Sequence, residues 1–298
     1  MSRTYPPDVI VLDTDGLLHA RVLRGRKNPQ IETAKAYALR EGIFNKAVVT
    51  PELVDEDGLA DVLRRVKTDS GKLERASILL PDAWFRMNLV ELPSISDRRD
   101  EALHAIRWSL KRTLPIPPEA LRMSWEVLGK SAAGLKVLVV SAVEKTLAAV
   151  ERVFTAAGIE IVLVEPVGLN IWNAITVREQ ATSNDRLFVY VRDADFTTAV
   201  FRGSLPVFIR SRNLSGERSL QQEIRLSANY LRETLQTVSL ERAYVAGKDT
   251  GGQVQAALAS EFSAPVVPVA LRDFVDQPPA HLPDLDAELT ACTGVFTA

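Results

Sequence analysis

Residues 187–210 read LFVYVRDADFTTAVFRGSLPVFIR. An apolar strand runs into a tight acidic turn, a second strand covers 197–201, Gly203 turns the chain again, and a third strand covers 206–210. This is a three-strand meander. Residues 8–39, DVIVLDTDGLLHARVLRGRKNPQIETAKAYAL, lay out the same plan: strand 9–12, an acidic turn Asp13-Thr14-Asp15-Gly16, strand 17–23, a basic turn, and a third strand over about 30–39. A unit that recurs once in each half of a chain predicts a duplicated fold with a cleft between the copies.

The composition sets bounds on that reading. A chain of 298 residues, 46% hydrophobic and 25% charged, is long enough for two lobes with their own cores. The net charge of −2 supplies no basic field for nucleic acid. The single Cys292 excludes an internal disulfide, and His19, His104 and His281 are too far apart in sequence to form a ligand pattern. All four read as structural or surface residues. Pro6, Pro7 and Asp8 interrupt the first apolar run, and no run approaches the roughly 18 residues of a membrane span. The expectation is a cytoplasmic chain with no direct membrane insertion, peripheral to a membrane through a partner.

After the first meander, residues 49–67 predict a helix with Leu59, Val62, Leu63 and Val66 on one stripe, followed by a short strand over 77–80. Residues 82–157 depart from this rhythm. A strand over 84–92, a helix capped by Ser96 or Asp97, strands 121–128 and 136–141 and a helix 144–157 read as an inserted βαββα subdomain. Strand 160–164 and helix 166–178 return the chain to the first lobe, giving 1–81 plus 158–180. A polar linker over 179–186 leads to the second lobe, 181–298: meander, helix 216–237, strand 242–246, helix 253–262, strand 266–269 and a last helix over about 284–296. Trp84, Phe85 and Trp108 read as core residues ahead of partner anchors.

Four stretches then carry a resemblance across nearly the whole chain: LPDAWFRMNLVELP, DEALHAIRWSLKRTLPIPPEAL, KVLVVSAVEKTLAAVERVFTAAGIEIVLVEPVGL, and QEIRLSANYLRETL followed by ERAYVAG. In order and spacing they resemble the PilM family of type IV pilus assembly proteins, relatives of the cell-division protein FtsA and, more distantly, of the cytoplasmic part of the secretion protein GspL. The resemblance implies an actin-like (ribonuclease H-like) two-lobed α/β fold with the insertion in the first lobe. It implies binding of the cytoplasmic tail of a PilN-like inner-membrane protein and contact with the motor ATPases of a pilus or secretion machine. Self-association is a further expectation.

The nucleotide site that the resemblance implies would place Asp13, Asp15 and Gly16 in the first phosphate turn, Arg192, Asp195, Thr197 and Thr198 in the second, and Gly247, Gly251 and Gly252 in the adenosine turn. Each turn departs from the family pattern. Asp15 falls where Gly is usual, with Gly16 one place late; Arg192 occupies the Asp position and Ala194 the Gly position; Asp195 adds a carboxylate; and Lys248-Asp249-Thr250 separates Gly247 from Gly251. A carboxylate about 4 Å from a phosphate oxygen costs on the order of 4 kcal/mol at an effective dielectric near 20. That is half of the roughly 8 kcal/mol in a micromolar affinity. Arginine cannot ligate magnesium. The span 209–217 also leaves no room for the extra subdomain that caps nucleotide in fuller members of the superfamily. The reading is therefore a non-catalytic scaffold with a degenerate site, no cofactor and no metal. Two alternatives stand beside it: an ATP- and magnesium-binding protein with weak ATPase activity, and a two-metal nuclease or phosphotransferase built on Asp13/Asp15 and Asp193/Asp195.

Overall fold

The computed structural model describes residues 5–25, 28–45, 51–132, 134–179, 182–193, 195–213, 219–233, 240–249, 252–279 and 282–296. The chain opens with β1 (Asp8–Leu12), β2 (Gly16–Leu23) and β3 (Gln30–Ala38), the expected meander. A short hairpin, β4 (Phe44–Asn45) and β5 (Glu52–Leu53), precedes α1 (Glu56–Ser70), whose N-terminus Asp55 caps by accepting the Gly58 N–H at 2.9 Å. β6 (Arg75–Leu80) follows. Next come β7 (Phe85–Leu92), α2 (Arg99–Leu110), β8 (Leu121–Ser131), β9 (Gly134–Val143) and α3 (Glu144–Ala156), then β10 (Glu160–Pro166) and α4 (Val167–Arg178). The second half holds β11 (Asp185–Arg192), β12 (Asp195–Arg202), β13 (Leu205–Asn213), α5 (Leu220–Glu233), β14 (Leu240–Gly247), α6 (Gln253–Glu261), β15 (Val266–Pro268) and α7 (Asp286–Gly294).

The duplication is visible in strand order. One five-stranded sheet runs β10-β6-β1-β2-β3 and the other β15-β14-β11-β12-β13. In each, the first two pairings of the meander are antiparallel and the strands that follow through helical crossovers are parallel.

Strand alternation then decides what each face buries. In β1, Ile10 and Leu12 face a core shared with α1 and α3, while Val9 and Val11 face the other way. In β11, Leu187, Val189 and Val191 face α5 and α6, while Phe188 and Tyr190 face the opposite side. The two remaining sheet faces share one core with α4 and α7, which pack on each other. This central layer joins the lobes. The last helix, expected in the second lobe, thus serves both, since α7 touches β1 and β2 as well as β14.

The insertion has its own small sheet, β7-β9-β8, and its own core with α2, built on Leu92, Ile106, Leu110, Met123, Val137 and Val139. Its closing helix α3 continues directly from β9 but buries Leu147, Val150 and Phe154 beside α1, so the insertion is anchored in the first lobe's core. Helix α2 starts later than expected, with Arg98 at its cap; Ser96 Oγ accepts the Arg98 N–H at 3.2 Å and donates to Glu101. The expected helix over 216–237 is found as α5, while its two ends, 216–218 and 234–237, and the Gly251 position lie outside the described residues. Trp84 is buried against Phe44, and Phe85 is buried too, but Trp108 is 79% exposed. Counting from Ile106 and Leu110, which face the small core, Trp108 falls on the opposite side of the helix.

Trp172 is the largest single link in the central layer: from α4 it stacks on Phe201 of β12, ring centroids 3.8 Å apart. Trp172→Ala is expected to cost about 3–5 kcal/mol in urea unfolding, as for other large-to-small core changes. A loss below about 1 kcal/mol would mean that the layer tolerates the cavity.

Candidate functional site: the interlobe cleft

Following the alternation to the end of each central strand, one residue past β1 and the last residue of β11, brings one side chain from each lobe to the same place. After Val9 and Val11 the next residue on the inner face is Asp13; after Phe188 and Tyr190 it is Arg192. They meet. Arg192 Nε lies 2.6 Å from Asp13 Oδ2, its Nη2 lies 3.9 Å from Asp15 Oδ1, and its Nη1 pairs with Glu288 of α7. One guanidinium therefore ties the first lobe's acidic turn, the second lobe's central strand and the helix between them.

Burial shapes the electrostatics. Arg192 and Asp13 are each 15% exposed and Glu288 only 7%, whereas Asp15 is open to water at 68%. Burial alone would weaken the charge on Arg192, but Asp13 and Glu288 outweigh it and push the guanidinium pKa further up. Burial raises the pKa of Glu288, with Arg192 pulling the other way. Tyr190, buried beside them, is held well above its ordinary value by burial and by Glu288, so it stays a neutral phenol.

Asp13 is locked into its turn: its backbone N–H donates to the Gly16 carbonyl at 2.9 Å, and its Oδ1 accepts the Thr14 N–H at 2.6 Å. Gly16 begins β2 and gives the turn no side chain. Asp195 and Thr197 share the inner face of β12, and Thr197 Oγ1 lies 2.9 Å from Ser211 Oγ. Thr198 does not belong to the cleft. One residue on in a strand, it faces the opposite side, among Leu187, Val189 and Ile224 beneath α5. Gly247 packs so closely on β11 that a Cβ would stand 1.9 Å from the Val191 carbonyl oxygen, and its φ of +89° also requires glycine.

Gly252, with φ +71°, sits at the N-cap of α6. There two of the first-turn amides that could receive an anion are already engaged: Asp249 accepts from Val254 N at 2.7 Å and from Gln255 N at 3.1 Å. Asp193 pairs with Lys248 at 3.3 Å instead of converging with Asp13 and Asp15. Among the described residues no three acidic, His or Cys side chains gather into a cation cage.

Sequence reasoning missed Glu288, Tyr190 and Asp82. The signal for Glu288 was available: it is the one carboxylate between Ala287 and Val295 in an otherwise small and apolar run. Asp82 gave a weaker one, a lone acid after the β6 strand and Pro81. It is buried, and its Oδ1 accepts the Gly168 N–H at 2.7 Å in the first turn of α4. Its helical turn touches β12 and β13, so this carboxyl also sits where the lobes meet.

No family model and no curated protein matches this chain in sequence. The similarity lies in three dimensions. A solved structure described as a "PilM-PilN type IV pilus biogenesis complex" superposes with a TM-score of 0.79 at 16% identity, covering 99% of this chain and 98% of the other. A Bacteroides thetaiotaomicron protein described as having an actin-like ATPase fold and unknown function superposes with a TM-score of 0.59 at 12% identity, covering 97% and 96%. The fold is actin-like. The paired five-stranded sheets around α4 and α7 are its two lobes, and the cleft holding Arg192 is the one that faces both β-hairpin turns.

Burial raises the pKa of Asp82 to about 6, with the Gly168 N–H and Thr197 lowering it and Asp195 raising it. Between its ordinary value of 3.8 and about 6 the folded protein holds this proton more tightly than the unfolded chain, so stability falls as pH rises through that window. The loss is on the order of 2–3 kcal/mol for a shift of about two units. Asp82→Asn keeps the acceptor for Gly168 and removes the ionisation. Urea unfolding should find the variant more stable than the parent at pH 7 and equal to it near pH 4; an offset that does not change with pH would contradict this.

Proposed function

We propose that this chain is a non-catalytic scaffold of a type IV pilus or type II secretion-like machine. It binds the cytoplasmic tail of a PilN-like inner-membrane protein, contacts the motor ATPases, and is held at the inner membrane from the cytoplasmic side through that partner. The observation that carries the reading is the Arg192 guanidinium paired with Asp13 between the two turns. In an actin-like cleft this is where a cation and phosphates would need Asp13. Here a fixed side-chain cation takes up that carboxylate.

The residues present do not fit a magnesium nucleotide. Arg192 cannot ligate magnesium, Glu288 completes its pairing from α7, and Asp249 already holds the first amides of α6. The full-length likeness to a chain of the PilM–PilN complex supports a pilus-type partner. Among the described residues no helix is long and apolar enough to cross a membrane.

The test combines a pull-down from native membranes with a thermal-shift assay on the same preparation. Recovery of a PilN-like protein and no rise in melting temperature with Mg-ATP are expected. A Mg-ATP-dependent rise of several degrees that Asp13→Ala abolishes would show a working nucleotide site and overturn the scaffold reading.

A further inference from the structure

The exposed half of α2 has a chemistry that neither the scaffold core nor the cleft uses. From Ala102 to Pro118 the chain carries Arg107, Lys111 and Arg112 and no carboxylate. At 100° per residue, His104, Arg107, Trp108 and, just past the last helical residue, Lys111 and Arg112 fall in one continuous sector; Asp100 and Glu101 share that sector only in the first turn of α2, about two turns before Trp108. Ala102, Ile106 and Leu110 take the opposite side and pack into the small core. Trp108 is 79% exposed, more than any other large apolar side chain among the described residues. Lys111 and Arg112 are exposed at the end of the helix, and among the described residues neither they nor Arg107 have an ion-pair partner. Elsewhere the surface cations of this protein are commonly paired, as Arg122 is with Glu144 and Glu151.

The helix dipole accounts for cations at this end, but not for an indole left so largely in water. A convex helix face with one outward tryptophan ringed by unpaired cations has the composition of an interfacial anchor. The indole sits at the headgroup level, and each nearby Lys or Arg gains from an anionic surface. A groove for an acidic peptide would need concave walls, and the sector is the outer surface of a helix.

We propose that the C-terminal half of α2 docks against anionic lipid headgroups, laying the inserted subdomain on the membrane surface without insertion. Three cations and one indole give weak, salt-sensitive binding, which a membrane-tethered partner would raise through effective concentration. The contact itself needs no partner, so its test is separate from that of the scaffold reading.

The test is flotation of the purified full chain with vesicles of phosphatidylcholine containing roughly a third phosphatidylglycerol, against vesicles of phosphatidylcholine alone. The chain should float with the anionic vesicles only, and lose that binding in high salt. Lys111→Glu with Arg112→Glu should reduce binding at least about tenfold, and Trp108→Ser about threefold or more. Lys72→Glu with Arg64→Glu, both exposed on the first lobe, should leave it unchanged. Equal binding to both vesicle types, no binding to either, or an equal loss in the first-lobe control would overturn the proposal. So would capture of an acidic peptide by this helix without vesicle binding.

Discussion

A guanidinium buried between two lobes is stable only where its charge is answered, and the account of this protein rests on how Arg192 is answered. Asp13 comes from the first lobe, Glu288 from α7, and Asp15 adds a more distant, solvated charge. Taking such charges out of water costs several kcal/mol per ion, and only close, well-placed partners offset it. The partners are well placed because they extend regular elements. Asp13 and Arg192 are each the next inward position of a central strand, and Glu288 lies in the first turns of a helix packed on both sheets. The ion cluster follows from the fold's own duplication. The second lobe contributes the cation, Arg192, and the first lobe and α7 contribute the carboxylates.

The same central layer explains how distant parts of the chain are coupled. Helices α4 and α7 pack together between the sheets, Trp172 reaches from α4 to Phe201, and Asp82 receives an amide of α4 while facing β12. Asp82 also begins the turn that leads into the inserted subdomain, whose last helix returns to the first lobe's core beside α1. A load on the insertion is therefore transmitted to α4 and α3 through packed side chains and one buried hydrogen bond.

Much of this could be read from sequence, because both meanders announce themselves by alternating apolar residues and acidic or glycine turns. The order of strands and helices and the insertion follow from that pattern, whereas the odd residues of the cleft stand out only against the family resemblance. The resemblance implies an acid at the Arg192 position, but no sequence pattern names its partners, because contact between residues 13, 192 and 288 depends on how two sheets face one another. Thr198 was misplaced for a simple reason: adjacent strand residues point to opposite faces, and Thr197 and Thr198 cannot both line one cleft. Trp108 was read as core because its helix has an apolar stripe; counting from Ile106 and Leu110 would have put it outside. Asp82 was hidden by its isolation, since its environment is made by α4 and β12, both far along the chain.

The pairing of Arg192 with Asp13 is the contact on which this picture turns, and a double-mutant cycle measures it directly. Urea unfolding of the parent, Arg192→Gln, Asp13→Asn and the double variant should give a coupling energy of about 1.5–3 kcal/mol, as for directly interacting groups in one charged network. A coupling below about 0.5 kcal/mol would show that the two turns do not hold each other, and would contradict the account.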